Sequence, residues 1–570
     1  MFQNRNDISI VLSGEAGQGL QTLEQLMLRV FKKAGYYVFS YSEFMSRIRG
    51  GNNSTQIRVS SHRVRSYTDR IDIFVPMNEE ATIRFHERIT PETVIIAEPA
   101  MVDPQYLEGN FTVLDVAFGD LGREAGGKIY LNSVMLGLFA GIFGVDIHLV
   151  ENVLRDEFHT KEESVVANNF RAADLGQTLG WQLLENNLEH FAIEKTDDVK
   201  EELLMNGVDA VGLGGLAGGC NFVSSYPMSP STGVLVFFAR HAKDFGVVVE
   251  QAEDEICAIN MCLGSWYAGG KAMVTTSGGG FALMSEGLSL AGCTETPIVI
   301  HIGQRPGPAT GLPTRTEQAD LEIALYAGHG EFPRIILAPG SITDAFILTK
   351  RAFDLADTYQ VPVIILSDQY FLETNMVLPA LEIRELDEKH RIVKTKDDYQ
   401  RYAITRNGVS PRGIPGYGTG IVCVDSDEHD EGGYITEDPA MRNAMVEKRL
   451  RKRKGILKDA LPPKLIGAQE YECILVGWGS TFNVISEAVE QIGREDIALL
   501  HFSQVYPLHG DTAGLINKAE KKIIIENNAT GQLAKLIKLE TGIDFDHKIL
   551  KYSGMQFSLE EVVERVRELV

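Results

Sequence analysis

In the middle of this chain, short apolar segments at residues 247–249, 272–275, 298–302 and 361–366 alternate with longer stretches that carry apolar residues at helical spacing. Strands joined by connections of that length pair in parallel, and a parallel sheet buries both of its faces beneath helices. The alternation therefore predicts an α/β domain over 203–381. A second α/β unit is expected at the start, where the apolar run 8–12, a Gly-rich turn and the amphipathic stretch 20–33 read as strand, turn and helix. The polar run ENNLEHFAIEKTDDVKEE at 185–202 separates the two, giving a first domain at 1–188 and a linker at 189–202. Residues 382–464 lose the rhythm, being rich in charge, Pro and Gly, and read as a connecting segment. Strand patterns return at 473–477, 497–502 and 522–526, predicting a smaller α/β domain over 465–570. A chain of 570 residues is too long for one core, so several domains are what its length requires.

Charge and apolar content exclude some functions. A formal net charge of -24 repels nucleic acid and anionic lipid, so neither is expected as the main partner. The apolar stretch 129–145 is shorter than the about 20 residues a membrane span needs and holds Asn132 and Ser133, so it reads as a buried helix. The uncharged stretch 210–239 is broken by glycines, Pro227 and Pro230. The first residues run into a strand pattern without the features of a signal peptide, and a cytoplasmic location is the default expectation. Six cysteines, Cys220, Cys257, Cys262, Cys293, Cys423 and Cys473, are scattered without a C-x-x-C pair, so no metal or iron-sulfur site is expected on this chain.

Five clusters carry groups suited to chemistry. The turn Ser13-Gly14-Glu15-Ala16-Gly17-Gln18-Gly19 opens a helix whose N-terminus suits an anion, although glycines that merely allow a tight turn explain it equally. Arg47, Arg49, Asn52 and their small neighbours suit a phosphate-bearing ligand, or form a solvated loop. In Tyr226-Pro227-Met228-Ser229-Pro230-Ser231-Thr232 two prolines stiffen a strand-to-helix loop that presents hydroxyls, with Ser231 or Thr232 alternatively capping the next helix. Glu250, Glu253, Asp254 and Glu255 gather at a helix start, where the macrodipole alone stabilises acids. Arg305 and Arg315 follow the strand at 298–302 and suit a substrate carboxylate, while a surface salt bridge explains one arginine as well.

The segments YPMSPST, QAEDEI, TTSGGGFALMSEGLSLAG and QRPGPATGLPTRTEQ, in this order and separation, resemble the alpha subunit of 2-oxoglutarate:ferredoxin oxidoreductases. GEAGQG and RIRGGNNSTQIRVS resemble the gamma module often fused in front of it. EHDEGGYITEDPAMRNAMVEKRLRK and ENNATGQLAKLI resemble the connecting segment and the C-terminal domain, so that the likeness covers nearly the whole chain.

The resemblance implies three α/β domains: a gamma-type N-terminal domain, a pyrimidine-type thiamine diphosphate-binding parallel-sheet domain, and a smaller C-terminal domain like that of transketolase. In this family a glutamate exchanges a proton with the cofactor's pyrimidine nitrogen, and the resemblance assigns that role to Glu253, held protonated by burial, with Asp254 and Glu255 as helix-start charges. Ser277 and Gly278 are implied cofactor contacts. Ser229, in the 226–232 loop, implies a hydroxyl beside the reacting carbon, Arg305 a clamp on the 2-oxoacid carboxylate, and Arg315 a contact to a second, distal carboxylate. Two arginines favour 2-oxoglutarate over pyruvate, branched or aryl 2-oxoacids. Gly14, Gly17, Gly19, Arg49 and Asn52 are implied candidates for coenzyme A. A beta subunit is implied to bring Mg2+, the diphosphate ligands and a 4Fe-4S cluster, within an (alpha-beta)2 heterotetramer that passes electrons to ferredoxin. The expected reaction is oxidative decarboxylation of 2-oxoglutarate with coenzyme A to succinyl-CoA, or its reverse. A non-catalytic regulatory or assembly subunit is the alternative of another class.

Overall fold

The computed structural model describes residues 6–45, 51–187, 193–381 and 391–570. They form two compact units: Met1–Met205 with Glu373–Ala380 and Ser558–Glu560, and Asn206–Leu372 with Leu381–Phe557 and Glu561–Val570.

The first unit is built on an eight-stranded sheet in the order Thr112–Asp115, Val94–Ala97, Ile73–Pro76, Asp7–Glu15, Asn52–Ser60, Tyr37–Glu43, Thr374–Leu378 and Leu203–Asn206. Its first four strands are parallel, and the Asn52–Ser60 strand pairs antiparallel on both sides. Residues 52–55 are therefore neither a solvated loop nor an exposed ligand loop, because both edges of the strand are paired and its side chains are buried. The apolar residues Ile8, Ile10, Val11 and Leu12 are buried in the central strand, and the helix Leu20–Ala34 packs its Leu23, Met27, Val30 and Phe31 into the same core before Gly35, at φ 102°, ends it. The apolar stretch expected as a buried helix is the helix Leu131–Ile142, which packs against Glu163–Asn187. Glycines bring these backbones together: a Cβ on Gly137 would lie 2.0 Å from the Ala173 carbonyl oxygen, and one on Gly176 2.0 Å from that of Val134. The described part of the expected linker, residues 193–202, lies in this unit, with the Thr196 N–H bonded to the Gly35 carbonyl at 2.8 Å.

Thr374–Leu378 departs from the expected boundary at 381. It leaves the second domain to pair antiparallel with Tyr37–Glu43, where Asn375 donates to Ser40 Oγ at 3.1 Å and to the buried Glu24 at 3.3 Å. A strand buried at all five positions needs a paired neighbour, and the first sheet supplies one.

The second unit holds two sheets. The larger runs Gln504–Tyr506, Ile335–Leu337, Pro362–Asp368, Ile298–Gln304, Ala272–Thr276, Phe222–Ser225 and Val248–Gln251, all parallel except the first. From Phe222–Ser225 the chain moves one way to Val248–Gln251 and then the other way to Ala272–Thr276. The crevice at the carboxyl ends of those strands is the topological switch point where open α/β sheets bind ligands. The smaller sheet runs Lys464–Gly467, Ile497–Phe502, Cys473–Trp478, Lys521–Glu526 and His547–Leu550, parallel apart from its first strand. Gln318 ties it to the larger one by donating to the Trp478 carbonyl at 2.7 Å.

The connecting segment carries the helices Pro439–Arg451 and Arg453–Lys458. Lys448 and Lys452 are fully buried and grip the two oxygens of the buried Glu295 at 2.5 and 2.6 Å. Arg401 donates to the Glu295 carbonyl at 2.8 Å. Burial alone would raise the Glu295 carboxyl, but Lys452, Lys448 and Arg401 pull it down to about 2.

Candidate functional site

Four segments reach the switch-point crevice. After Phe222–Ser225 the chain forms the 226–231 loop, in which the Ser229–Pro230 peptide is cis, and enters the helix Thr232–Phe245. Pro230 reaches the strand Ile298–Gln304, two strands away, where a Cβ on Gly303 would lie 3.0 Å from its ring. Ser231 turns inward and its hydroxyl donates to the Met228 carbonyl at 2.8 Å, so it neither caps the helix nor projects from the loop. Tyr226 and Ser229 are exposed, while Pro227, Met228 and Thr232 are half-buried.

The acidic cluster sorts by helix geometry. Asp254 is the N-cap, its carboxylate accepting from the Cys257 N–H at 2.7 Å. This fixes Glu255 as the first helical residue, on the same stripe as the buried Ala258, Ile259, Cys262, Leu263 and Trp266. Glu255 is only 3% exposed, whereas Glu253 lies in the bend before the helix and is exposed. In this chain by itself Glu253 is exposed, unlike the burial expected of it, and the side chain turned into the domain is that of Glu255. Its Oε1 is buried without a hydrogen-bond partner, and it rests on the helix Gly278–Leu283, where a Cβ on Gly280 would lie 2.6 Å away. Ser277, which follows Ala272–Thr276, is also buried with its hydroxyl unpartnered. Native proteins seldom leave buried polar atoms unsatisfied, so two on adjoining helix starts mark a place where a polar ligand completes the site.

From the next strand, Arg305 Nη1 donates to the Ser229 carbonyl at 2.6 Å and joins the proline loop to the crevice. Two acids that sequence reasoning passed over, Glu317 and Asp320, lie on the following segment. Burial pushes Glu317 up to about 7. Burial also raises Asp320 to about 7, against the pull of Arg305 and with a push from Glu317. The carboxyl of Asp320 is seated on Gly278, where a Cβ would lie 2.1 Å from it. A buried carboxyl facing a small residue across strands leaves no periodic signal, so only the fold reveals it. Arg315 donates to its neighbour's carbonyl, Thr314 O, at 3.1 Å and packs at Gly554 in the C-terminal part of the chain.

A second crevice lies in the first unit, at the carboxyl ends of its parallel strands. It encloses about 420 Å3 and is lined in part by Gln18, Met77, Glu98, Gly119, Arg123 and Lys128. The Gly-rich turn contributes Gln18 to its wall. Gln18 folds back so that its Oε1 accepts from the Glu15 N–H at 2.8 Å, over Gly14. Gly17 and Gly19 adopt φ of 94° and 76°, and Gly19 abuts Asn132. Glu98, which the sequence did not single out, accepts from the Gly119 N–H at 2.8 Å. Asn52 is buried, its side-chain oxygen taken by Asn78 at 2.6 Å, and so it offers no exposed ligand contact. Arg47 and Arg49 lie outside the described residues. Among the described residues no group of three or more His, Cys, Asp or Glu side chains is placed to hold a metal, and no single helix is long and apolar enough to cross a membrane.

Comparison with known proteins places both crevices in recognised modules. Residues 214–448 match the family described as pyruvate flavodoxin/ferredoxin oxidoreductase, thiamine diphosphate-binding, and residues 9–179 match pyruvate ferredoxin/flavodoxin oxidoreductase. A 2-oxoacid:ferredoxin oxidoreductase subunit alpha from Sulfolobus sp. is 30% identical, with 99% of this chain and 97% of that one covered. The 2-oxoglutarate oxidoreductase subunit KorA of Mycobacterium tuberculosis is 28% identical over 99% of this chain and 92% of its own. The solved structure of 2-oxoglutarate:ferredoxin oxidoreductase from Magnetococcus marinus, with 2-oxoglutarate, coenzyme A and succinyl-CoA bound, superposes with a TM-score of 0.91 at 32% identity, covering 99% of this chain and 100% of that one.

Proposed function

The chain belongs to the alpha subunits of the 2-oxoacid:ferredoxin oxidoreductases, and from that premise we propose that it oxidatively decarboxylates 2-oxoglutarate with coenzyme A, or runs the reverse carboxylation, using thiamine diphosphate shared with a second subunit. The observation that carries this reading is the pair of buried, unpartnered atoms at the switch point, Glu255 Oε1 and Ser277 Oγ, beside an arginine already tied to the proline loop. These groups fit the polar edge of the cofactor's pyrimidine. Bound thiamine diphosphate supplies an electron sink for loss of CO2 from a 2-oxoacid.

This chain's own residues do the rest. Glu255 would hold and exchange a proton at Oε1 with the cofactor's pyrimidine when it is bound, in place of the exposed Glu253. Ser277 and Gly278 line the pocket, Gly278 leaving the space in which the Asp320 carboxyl is seated. Arg305 takes the 2-oxoacid carboxylate in a charge-assisted pair, and Ser229, whose carbonyl orients Arg305, presents its hydroxyl beside the reacting carbon. Tyr226, Pro227, Met228 and Pro230 wall that side, and Thr232 opens the helix behind it. Arg315 serves the distal carboxylate of 2-oxoglutarate.

The reading requires a beta subunit to bring Mg2+, the diphosphate ligands and a 4Fe-4S cluster, within an (alpha-beta)2 assembly that reduces ferredoxin. The elements carrying the site support this. Val236, Phe245, Val248, Ile256 and Leu283 are exposed apolar side chains on the helices and edge strand around the crevice, a composition suited to a partner surface. Coenzyme A is assigned to the crevice of the first unit, its anionic groups toward the Gly17–Gly19 turn and Lys128.

The test is Glu255→Gln beside Glu253→Gln in the complex purified with its partner subunit. Loss of the proton relay should lower kcat for 2-oxoglutarate-dependent viologen reduction by about 10²–10⁴-fold in the first variant and leave the second near wild type. A fully active Glu255→Gln complex would return the relay to Glu253 if Glu253→Gln is inactive, and would support a regulatory or assembly subunit if both are active.

A further inference from the structure

Asp320 is seated on Gly278, at the start of the helix Gly278–Leu283, and its placement is over-determined. Its N–H is held by Gln304 Oε1 at 3.0 Å, and the Gln304 amide is anchored to the Ser367 carbonyl at 3.1 Å, so the ends of two parallel strands fix where the acid sits. Gly278 leaves room for its carboxyl and for nothing more, since a Cβ there would stand 2.1 to 2.4 Å from all three carboxyl atoms. Its Oδ2 is sealed from solvent without a hydrogen-bond partner. The charges that act on it are those of Arg305 and Glu317. The helix Gly278–Leu283 contributes no charged side chain. The helix Leu321–Tyr326 contributes Glu322, which is engaged by Lys535 at 2.9 Å. On the side of the five-stranded sheet, residues 318–319 meet the neutral amides of Asn527, Asn528 and Gln532.

We propose that Asp320 is a positioning and specificity-determining residue for the 2-oxoacid: its carboxyl competes with the substrate carboxylate for Arg305, so that substrate binds tightly to the form of the pocket in which Asp320 carries a proton. The inference rests on the role given to Arg305 above. With Asp320 neutral, the guanidinium keeps its charge for the incoming anion while the Ser229 carbonyl holds its orientation. With Asp320 ionised, the same cation is drawn to a fixed acid, and a second negative charge faces the substrate across a poorly solvated gap.

The sign of the pH dependence follows. Burial sets the Asp320 carboxyl at about 7, so it is protonated below neutrality and ionised above. Substrate prefers the protonated form, so binding takes up a proton and KM rises as pH climbs through about 7, by up to about tenfold per pH unit. The carboxylates of a 2-oxoacid are fully ionised throughout this range and add no slope of their own.

The experiment measures KM and kcat for 2-oxoglutarate from pH 5.5 to 8.5 on the holo complex, for the wild type, Asp320→Asn and Glu317→Gln, with Arg305→Lys at pH 6.5. The wild-type KM should rise above neutrality while kcat changes less. Asp320→Asn should hold KM near the low-pH wild-type value across the range. Glu317→Gln should keep the rise but shift it to lower pH, because the charge that pushes Asp320 upward is gone. An Asp320→Asn curve that follows the wild type, or a wild-type KM without a rise, overturns the inference. Should Asp320→Asn fail to assemble, the wild-type and Glu317→Gln curves decide it by the same criterion. An Arg305→Lys complex with unchanged KM overturns the role of Arg305 itself, an outcome separate from a failure at Asp320.

Discussion

Glu253 and Glu255 differ in nothing that composition records, yet one faces water and the other is buried. Asp254 decides between them. Once it caps the helix, Glu255 falls on the stripe of 258, 259, 262, 263 and 266, and Ile256 is half exposed. The signal was in the sequence, but it required choosing the cap before the stripe, and three consecutive acids hide that choice. Gly280 is the seat of Glu255. In Gly280→Ala the new methyl would stand 2.2 Å from Thr276 Oγ1 and 2.6 Å from Glu255 Oε1. Displacement of the carboxyl by about 1 Å should lower kcat by roughly 100-fold, checked by steady-state kinetics on complexes that still assemble. Arg315→Gln addresses substrate choice. Losing one charge-assisted contact of about 1.5–3 kcal/mol should raise KM for 2-oxoglutarate by roughly 10–150-fold and leave a monocarboxylic 2-oxoacid unaffected. Equal effects on both substrates would remove Arg315 from the distal carboxylate.

At the scale of elements, the strands expected at 272–275, 298–302, 361–366, 473–477, 497–502 and 522–526 are all present within a residue or two, because buried parallel strands are continuous apolar runs. Ile335–Leu337 and Gln504–Tyr506 were not anticipated, being three residues each and too short for any period to show. Thr374–Leu378 fell inside the bound drawn at 381 for the second domain, since pairing with Tyr37–Glu43 is a long-range contact that local pattern does not encode. The basic run of the connecting segment conceals the least legible feature, a buried carboxylate clasped by two buried lysines. Glu295→Gln leaves both ammonium groups without their counter-charge and should destabilise the second unit by about 3–5 kcal/mol, read from denaturant unfolding. The pH dependence has a definite sign. The folded carboxyl titrates at about 2, below its ordinary 4.5, so its contribution is complete above 4.5 and is lost as pH falls toward 2. In the wild type acid unfolding should steepen through that window, and in the variant this component should vanish.

For the whole molecule, the order of modules was legible because each begins with its own strand-turn-helix rhythm, and the resemblance of its motifs extends over nearly the full length that the comparisons cover. What could not be read was which crevice each cluster serves. The Gly-rich turn and Asn52 are neighbours in motif, but the turn lines an open pocket while Asn52 is locked inside the sheet. We assign the 2-oxoacid and the proton relay to the second unit and coenzyme A to the first, with a partner subunit completing the cofactor site. The most direct test is the initial rate of viologen reduction by the complex purified with its partner, given 2-oxoglutarate or pyruvate, each with and without coenzyme A. The account predicts turnover that requires coenzyme A and a higher kcat/KM for 2-oxoglutarate than for pyruvate; a complex that prefers pyruvate, or turns over neither, would contradict it.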